Sequence, residues 1–250
     1  MTRALVHGAG RMAQRVLANM PEFQNYELTG LVSRTQPADI SAINWCPSLD
    51  EFKTPVDILI DFTLPGGTRD AATWCARNGV ALLSGTTGLT DEDIKALKAA
   101  ALKVPVLWAP NLSHGVALMA TLVRLADEAL GVSANITIND IHHQHKVDAP
   151  SGTALALANA VMEGRSQRLE DLLDKELSNG DEGELTFTSV REGEVIGEHT
   201  VSFELADEVI EITHKALDRD VFAKGALRAG EWLVGQDAGY YSTGDWLGLE

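Results

Sequence analysis

The sequence predicts two domains, a doubly wound α/β domain with a parallel sheet and an inserted α+β domain with a mixed or antiparallel sheet. Three observations support this prediction. Apolar runs alternate with helical patterns over residues 1–110, a glycine-rich turn follows the first apolar run, and the strand patterns after residue 184 follow one another without helices. We therefore assign residues 1–112 plus 216–250 to a dinucleotide-binding domain. Residues 113–215 form a domain for substrate binding and oligomerisation.

The first half of the chain alternates strands and helices. Its strand runs are too continuously apolar for half-exposed strands, which is typical of a parallel sheet covered on both faces. Pro21 ends the first helix, and Thr90 is a good N-cap for a later one. The predicted strands are 4–7, 26–33, 56–63, 80–84 and 104–108, and the later helices are 67–78 and 91–102.

The pattern changes after about residue 113. A long helix (116–130) precedes a strand that ends in a histidine-rich stretch (135–145), and another helix starts near Thr153. Residues 170–184 are strongly acidic and are interpreted as a solvated excursion. Strands joined without crossover helices are antiparallel, which we expect of those that follow. These strands are 185–191, 199–205 and 209–214, and a last helix (221–234) returns to the first domain.

Composition excludes several classes of protein. The 36 acidic and 20 basic residues give a net charge of −16, which disfavours nucleic-acid binding. Two cysteines, Cys46 and Cys75, provide neither a disulfide framework nor a four-cysteine zinc site and are interpreted as reduced thiols. No secretory signal is evident and no apolar run reaches the ~18 residues of a membrane span. We expect a cytoplasmic protein without a membrane partner.

The turn after the first strand has the spacing of a Rossmann-type dinucleotide site. Its glycines allow close approach to a pyrophosphate at a helix N-terminus, although a tight turn without a ligand is the alternative. The residues in question are Gly8, Ala9, Gly10, Arg11, Met12 and Ala13.

The end of the second strand indicates which dinucleotide binds. Ser33 stands where NAD-binding proteins usually have an acid, and Arg34 follows. A carboxylate would repel a 2′-phosphate, whereas arginine pairs with one. We therefore expect NADPH to be preferred and NADH to be the alternative, unless Arg34 merely faces solvent.

Two later loops follow strands whose carboxyl ends should meet the nicotinamide. Each could also be a bare turn. They comprise Gly85, Thr86 and Thr87 in one loop and Ala109, Pro110, Asn111 and Leu112 in the other.

Residues 142–154 concentrate histidines and one lysine in a very acidic chain. Histidines that only pack or cap are one interpretation. A metal site is another, but no HExxH spacing or further ligand cluster is visible. An anion site with acid–base groups is favoured, because Ser151, Gly152 and Thr153 open a helix and offer N–H groups to a carboxylate. We expect a small dicarboxylic acid as ligand and no metal.

The stretch HHQHKVDAPSGTA resembles the signature of the 4-hydroxy-tetrahydrodipicolinate (dihydrodipicolinate) reductase family of lysine and diaminopimelate biosynthesis. Further matches run in order along the chain: Asp61-Phe62-Thr63, Gly85-Thr86-Thr87-Gly88, Asn111-Leu112-Ser113, Gly197-Glu198-His199 and Glu211 to Lys215. The resemblance implies a cytoplasmic NAD(P)H-dependent oxidoreductase that acts on a small cyclic dicarboxylate. It also implies a homotetramer built through the sheet of the second domain.

The resemblance also implies roles for individual residues. His142 and Lys146 match the proton-transferring groups, and His143, Gly152 and Thr153 match contacts to the substrate carboxylates. Gly8 to Met12 match the pyrophosphate turn. His145 is expected to be structural or peripheral. The chain departs from the family pattern at Ala13, at Ser33 in place of an acid, and at Leu112 and Ala117 in the asparagine loop.

The resemblance further implies hydride addition to ring carbon 4 of 4-hydroxy-tetrahydrodipicolinate with proton donation by Lys146 and His142. The rival hypothesis is a catalytically inactive NADP-binding redox sensor. Paired proton donors argue against it, since a sensor needs only the nucleotide turn.

Overall fold

The structure, a computed structural model, describes residues 1–38, 43–165 and 183–249. Most of the acidic excursion expected at 170–184 lies outside these ranges. The chain divides into two compact units. Unit 1 comprises Met1–Ser113 and Asp220–Glu250, and unit 2 comprises His114–Arg219.

The described strands are β1 Thr2–His7, β2 Tyr26–Val32, β3 Trp45–Cys46, β4 Ile58–Asp61, β5 Ala81–Ser84, β6 Pro105–Trp108, β7 Asn135–His142, β8 Leu185–Arg191, β9 Glu198–Glu204, β10 Val209–Lys215 and β11 Gly239–Tyr241. The described α-helices are α1 Arg11–Asn19, α2 Pro65–Asn78, α3 Asp91–Ala101, α4 His114–Leu130, α5 Gly152–Gly164, α6 Asp220–Leu233 and α7 Thr243–Leu247.

Unit 1 is a doubly wound α/β domain. Its seven-stranded sheet has the order β11-β6-β5-β4-β1-β2-β3, and every neighbouring pair is parallel. Helices α1 and α6 pack on one face and α2 and α3 on the other. Consecutive residues such as Leu5 and Val6, whose side chains point to opposite faces of the sheet, are therefore both fully buried. This confirms the prediction of a parallel sheet covered on both faces.

Helix termini in unit 1 follow local sequence signals. Thr90 caps α3 through a reciprocal capping box with Asp93, as its sequence predicts. Helix α2 begins two residues earlier than expected because Pro65 lies at a helix start, where its fixed φ suits the first turn.

Unit 2 carries a mixed four-stranded sheet of order β10-β9-β7-β8. Strands β9 and β10 pair antiparallel, as predicted for directly joined strands. Strand β8, however, does not lie beside β9. It pairs parallel with β7, which separates the two, because α5 precedes β8 in the chain and allows a crossover connection.

One face of this sheet packs its apolar side chains, among them Ile138 and Phe203, with α4 and α5. In both units, none of the helices that the structure describes combines the length and the apolarity needed to cross a membrane.

Candidate active site

The turn after β1 has a backbone conformation that only glycine adopts without strain at its first position. Gly8 has a φ of 109°, and a Cβ there would lie 2.5 Å from the carbonyl oxygen of Phe62, so only glycine fits without strain. Gly10 precedes α1 in extended backbone, has open space beside it and provides no side-chain cap for α1. These features favour an anion at the helix N-terminus. The other predicted residues of this turn are Ala9 and Met12, which are half-buried, and Arg11, which is exposed.

A buried carboxylate fixes the strand ends around this turn. Asp61 ends β4, is fully buried, and accepts hydrogen bonds from four hydroxyl groups. The donors are Thr63 (2.6 Å), Thr68 (2.6 Å), Ser84 (2.7 Å) and Thr86 (3.0 Å). Nδ1 of His7 also lies 3.2 Å from Oδ1. Burial raises the pKa of Asp61, but the contacts with His7, Thr63 and Thr68 hold it below its ordinary value. The ionised carboxylate at the end of β4 therefore contacts side chains at the ends of both neighbouring strands, β1 and β5.

The two loops predicted to flank the nicotinamide follow the neighbouring strands β5 and β6, at the same sheet edge as the glycine turn. A Cβ at Gly85 would lie 2.2 Å from the Phe62 ring, so this loop also requires glycine. The carbonyl oxygen of Thr86 accepts a hydrogen bond from Nε1 of Trp108 (2.9 Å). The structure therefore places both loops where an α/β sheet binds its ligand. Of the remaining predicted residues, Thr87 and Pro110 are exposed, Asn111 is half-buried, and Ala109 and Leu112 are buried in the core.

Ser33 and Arg34 follow β2 and differ in their availability to a ligand. Ser33 is buried, and its hydroxyl donates to the carbonyl oxygen of Thr35 (2.8 Å) and accepts from Nε1 of Trp45 (3.1 Å). Arg34 is exposed, and within the described ranges its guanidinium has neither a hydrogen bond nor an ion pair. Arg34 therefore differs from Ser33 in leaving its polar group accessible.

The second set of predicted residues lies in unit 2 around a buried aspartate on β7. Oδ1 of Asp140 lies 2.8 Å from Nδ1 of His142 and 3.2 Å from Nε2 of His199. Oδ2 accepts hydrogen bonds from the backbone N–H of Ser151 (2.9 Å) and from Nη2 of Arg191 (2.8 Å). Burial raises the pKa of Asp140, but the contacts with His142, His199 and Arg191 hold it well below its ordinary value. Asp140 is therefore an ionised carboxylate between two imidazoles on one side and Arg191 with the Ser151 backbone on the other.

The donor atoms of Asp140, His142 and His199 also form the group that could hold a metal ion among the residues the structure describes. Tetrahedral zinc ligands at bond lengths of about 2.0–2.2 Å stand roughly 3.3 Å or more apart. The 2.8 Å separation of His142 and Asp140 is instead a hydrogen-bonding distance, and Arg191 already contacts the same carboxylate. We therefore interpret the group as an ionised carboxylate that faces two histidines and an arginine, and not as a set of metal ligands.

Lys146 follows β7 in the same loop as His142. Its Nζ lies 2.8 Å from Oδ2 of Asp148, and the Lys146 side chain is 22% exposed. Burial raises the pKa of Asp148, but the hydrogen bond from Lys146 lowers it overall. In the described chain, the ion pair of Lys146 is with Asp148 and not with the Asp140 carboxylate beside His142.

His143 and His145 have different surroundings. Burial and the positive charge of Arg219 lower the pKa of His143, which favours the neutral imidazole. His145 is exposed and lies 3.8 Å from the exposed Glu194.

Helix α5 begins beside the Asp140 cluster. Ser151 is its N-cap, and its hydroxyl oxygen accepts a hydrogen bond from the backbone N–H of Ala154 (3.1 Å). The same oxygen lies 3.1 Å from Nε2 of His199. Gly152 is exposed with open space beside it, and Thr153 is half-buried. The N-terminus of α5 can therefore receive an anion.

The sequence did not indicate roles for four residues that hold the side chains of the two sites in place: Asp61, Asp140, Arg191 and His199. Asp61 could have been noticed, since it is an acid that directly follows the apolar run 58–60. Asp140 could also have been noticed, since it lies two residues before His142 and so shares a strand face with it. Arg191 and His199 reach the site only through the strand register, which pairs His142 with Arg191 and Asp140 with His199. That register depends on contacts between distant segments.

The parallel sheet with its glycine turn and the acid–base cluster define a nicotinamide-dependent oxidoreductase with a separate α+β unit. Family models described as dihydrodipicolinate reductase, N-terminus and C-terminus, match residues 2–112 and 115–247. The chain belongs to the dihydrodipicolinate reductase family.

Similar proteins agree with this assignment. The 4-hydroxy-tetrahydrodipicolinate reductase of Alkalilimnicola ehrlichii is 40% identical, with 98% of each chain covered. That of Zymomonas mobilis is 39% identical over 98% of this chain and 96% of its own. The dipicolinate-bound dihydrodipicolinate reductase from Paenisporosarcina sp. TG-14 shares the fold, with a TM-score of 0.73, 23% identity and 97% of each chain covered.

Proposed function

We propose that this chain reduces 4-hydroxy-tetrahydrodipicolinate to tetrahydrodipicolinate with NAD(P)H, a step of lysine and diaminopimelate biosynthesis. The names of its full-length relatives support the substrate and the reaction. The observation that carries the proposal is the ionised Asp140, which contacts both His142 and the N-cap of α5. This arrangement combines a proton-transferring group and a carboxylate-binding helix end in one cluster.

Unit 1 binds the coenzyme, which when bound supplies a hydride. The backbone from Gly8 to Met12 would hold the pyrophosphate, and Gly85 to Thr87 with Ala109 to Leu112 would line the nicotinamide. The fit rests on the absence of side chains at Gly8 and Gly85, where a Cβ would collide with Phe62. Unit 1, Met1–Ser113 with Asp220–Glu250, thus serves as the dinucleotide-binding domain that the sequence predicts over residues 1–112 plus 216–250.

NADPH is the preferred coenzyme and NADH the alternative. Arg34 is exposed and available for the 2′-phosphate, and no acid stands at Ser33 to repel it. The structure adds one refinement, because the Ser33 hydroxyl already bonds Thr35 and Trp45. We therefore assign the contact that selects NADPH to Arg34 more than to Ser33.

Lys146 and His142 handle the protons. Removal of the 4-hydroxyl as water and addition of hydride at carbon 4 together require one proton, which the Lys146 ammonium donates. His142 exchanges a proton through the ring nitrogen that does not face Asp140. A positioned acid of this kind contributes about 10²–10⁴-fold to rate.

The substrate carboxylates bind at the start of α5. Ser151, Gly152 and Thr153 offer backbone N–H groups at the positive end of the helix dipole. His143 donates a hydrogen bond as a neutral imidazole, in keeping with its lowered pKa. Residues 113–215 thus serve as the substrate-binding domain.

The chain forms a homotetramer through the sheet of unit 2. The resemblance to the family supports this assembly. The sheet face opposite the apolar core carries hydroxyl side chains, such as Thr200 and Thr213 at 2.9 Å, which can pair with another copy. Light scattering in solution tests it, since a monomeric mass would contradict the proposal.

Turnover tests the function directly. Oxidation of NADPH and of NADH is followed with freshly generated 4-hydroxy-tetrahydrodipicolinate at several concentrations. We expect turnover with both coenzymes and a lower KM for NADPH. Binding of NADPH without substrate-dependent oxidation would instead support the redox sensor.

A further inference from the structure

Asp140 contacts five polar groups from four segments of unit 2. These are His142 on its own strand β7, Ser189 and Arg191 on β8, His199 on β9 and Ser151 at the start of α5. All of Asp140 is buried.

The distance between Asp140 and His142 indicates which ring nitrogen of His142 carries a hydrogen. A separation of 2.8 Å between Nδ1 of His142 and Oδ1 of Asp140 is unfavourable for two facing lone pairs, so it favours a hydrogen on Nδ1 beside the ionised carboxylate. In the neutral ring the lone pair is then on Nε2. That nitrogen faces Gly197, where a Cβ would come within 3.0 Å of it. The absence of a side chain at Gly197 keeps space beside Nε2.

The other oxygen of Asp140 is committed to different donors. Oδ2 accepts from Nη2 of Arg191 (2.8 Å), from the backbone N–H of Ser151 (2.9 Å) and from the Ser189 hydroxyl (3.4 Å). The two shorter contacts come from donors that cannot become acceptors, because guanidinium and amide N–H groups only donate. The side of residue 140 that faces Arg191 and Ser151 must therefore present an oxygen.

We propose that Asp140 is a positioning residue that holds His142 as the Nδ1–H tautomer while fixing the carboxylate-binding N-terminus of α5 through Ser151. This inference rests on the proposed function of His142 and of that helix end. One ionised group thereby links the orientation of the proton-transferring imidazole to the orientation of the substrate.

The variant Asp140→Asn tests the inference sharply. Its single oxygen must face Arg191 and Ser151, so its NH2 group faces Nδ1 of His142. Because Nδ1 must then accept a hydrogen bond, the tautomer of His142 switches to Nε2–H. An aspartate that orients a catalytic imidazole contributes up to about 10⁴-fold to kcat, so we expect kcat to fall at least about tenfold.

The tautomer is read from the 15N spectrum of the full-length protein labelled at histidine, with His142→Gln assigning the His142 signals. Asp140→Glu keeps a carboxylate and should restore the Nδ1–H signature and most of kcat. Asp127→Asn is the matched control, since Asp127 is also fully buried and ion-paired to an arginine, Arg165. It should leave the His142 signals and kcat unchanged. Thermal unfolding shows that each variant is folded.

The outcomes separate this inference from the proposed function. An unchanged His142 tautomer in folded Asp140→Asn overturns the inference, whatever the activity. Equal losses of kcat in Asp140→Asn and Asp127→Asn also overturn it, because they indicate general destabilisation. Full turnover of His142→Gln would overturn the proposed role of His142, yet the tautomer measurement in Asp140→Asn would still report on the positioning contact.

Discussion

Replacing Lys146 with methionine removes the proposed proton donor and keeps a side chain of similar length. In the structure, Nζ of Lys146 pairs with Asp148 at 2.8 Å, and the two side chains are 22% and 58% exposed. A pair this accessible is worth no more than about 1 kcal/mol, so the variant should remain folded. Loss of a general acid should instead lower kcat by roughly 10²–10⁴-fold. At 1.36 kcal/mol per tenfold, this raises the barrier by about 3–5 kcal/mol.

The assay is NADPH oxidation at saturating substrate, together with the dissociation constant of NADPH, which should change little because Lys146 belongs to unit 2. Asp148→Asn removes the same ion pair but keeps the ammonium group. Its kcat should remain within about tenfold of wild type, well short of a lost general acid. Near-normal kcat in folded, saturated Lys146→Met would refute the assignment of the acid.

Four further predictions concern coenzyme, turn, pH and substrate. Arg34→Glu should weaken NADPH by about 10–150-fold while changing NADH far less, because a charge-assisted bond worth about 1.5–3 kcal/mol is lost; equal effects on both coenzymes, measured by fluorescence titration, would contradict it. Gly8→Ala should reduce binding of both coenzymes and lower Tm, because its Cβ would meet the Phe62 carbonyl oxygen at 2.5 Å; unchanged binding and Tm would show that the turn tolerates a side chain. The pKa of Asp61 is lowered in the folded state, so its ionisation stabilises the fold above the unfolded pKa of about 3.9, and this stabilisation is lost as pH falls through the lower folded pKa. The free energy of unfolding in urea should therefore fall with pH more steeply in wild type than in Asp61→Asn. Parallel pH profiles of the two proteins would refute this prediction. His143→Gln should mainly raise the substrate KM, and a loss confined to kcat would contradict its assignment to the carboxylate.

Local patterns predicted most of unit 1. Continuous apolar runs indicated buried parallel strands, and the spacing of Gly8 and Gly10 indicated the turn, because both signals depend on neighbouring residues alone. The side-by-side parallel pairing of β7 and β8 was not predicted, since strand order depends on contacts across the fold.

The sequence predicted part of the candidate site as well. His142 and Lys146 stand out in the sequence, but the Asp140 cluster that surrounds His142 draws Arg191 and His199 from other strands. Around Asp61, the hydroxyls of Thr63 and Thr68 follow closely in sequence, whereas those of Ser84 and Thr86 come from the next strand and its loop. Such networks arise from tertiary register, so composition and motif spacing do not reveal them.

Deuterium transfer tests the central claim most directly. The protein is supplied with NADPH carrying deuterium at the reactive position of the nicotinamide and with fresh 4-hydroxy-tetrahydrodipicolinate, and the product is examined by mass spectrometry and NMR. The account predicts one deuterium at ring carbon 4 of tetrahydrodipicolinate for each NADPH oxidised, and a sharply lower rate of transfer in Lys146→Met. NADPH that binds but transfers no deuterium to the substrate would contradict the account and favour a redox sensor.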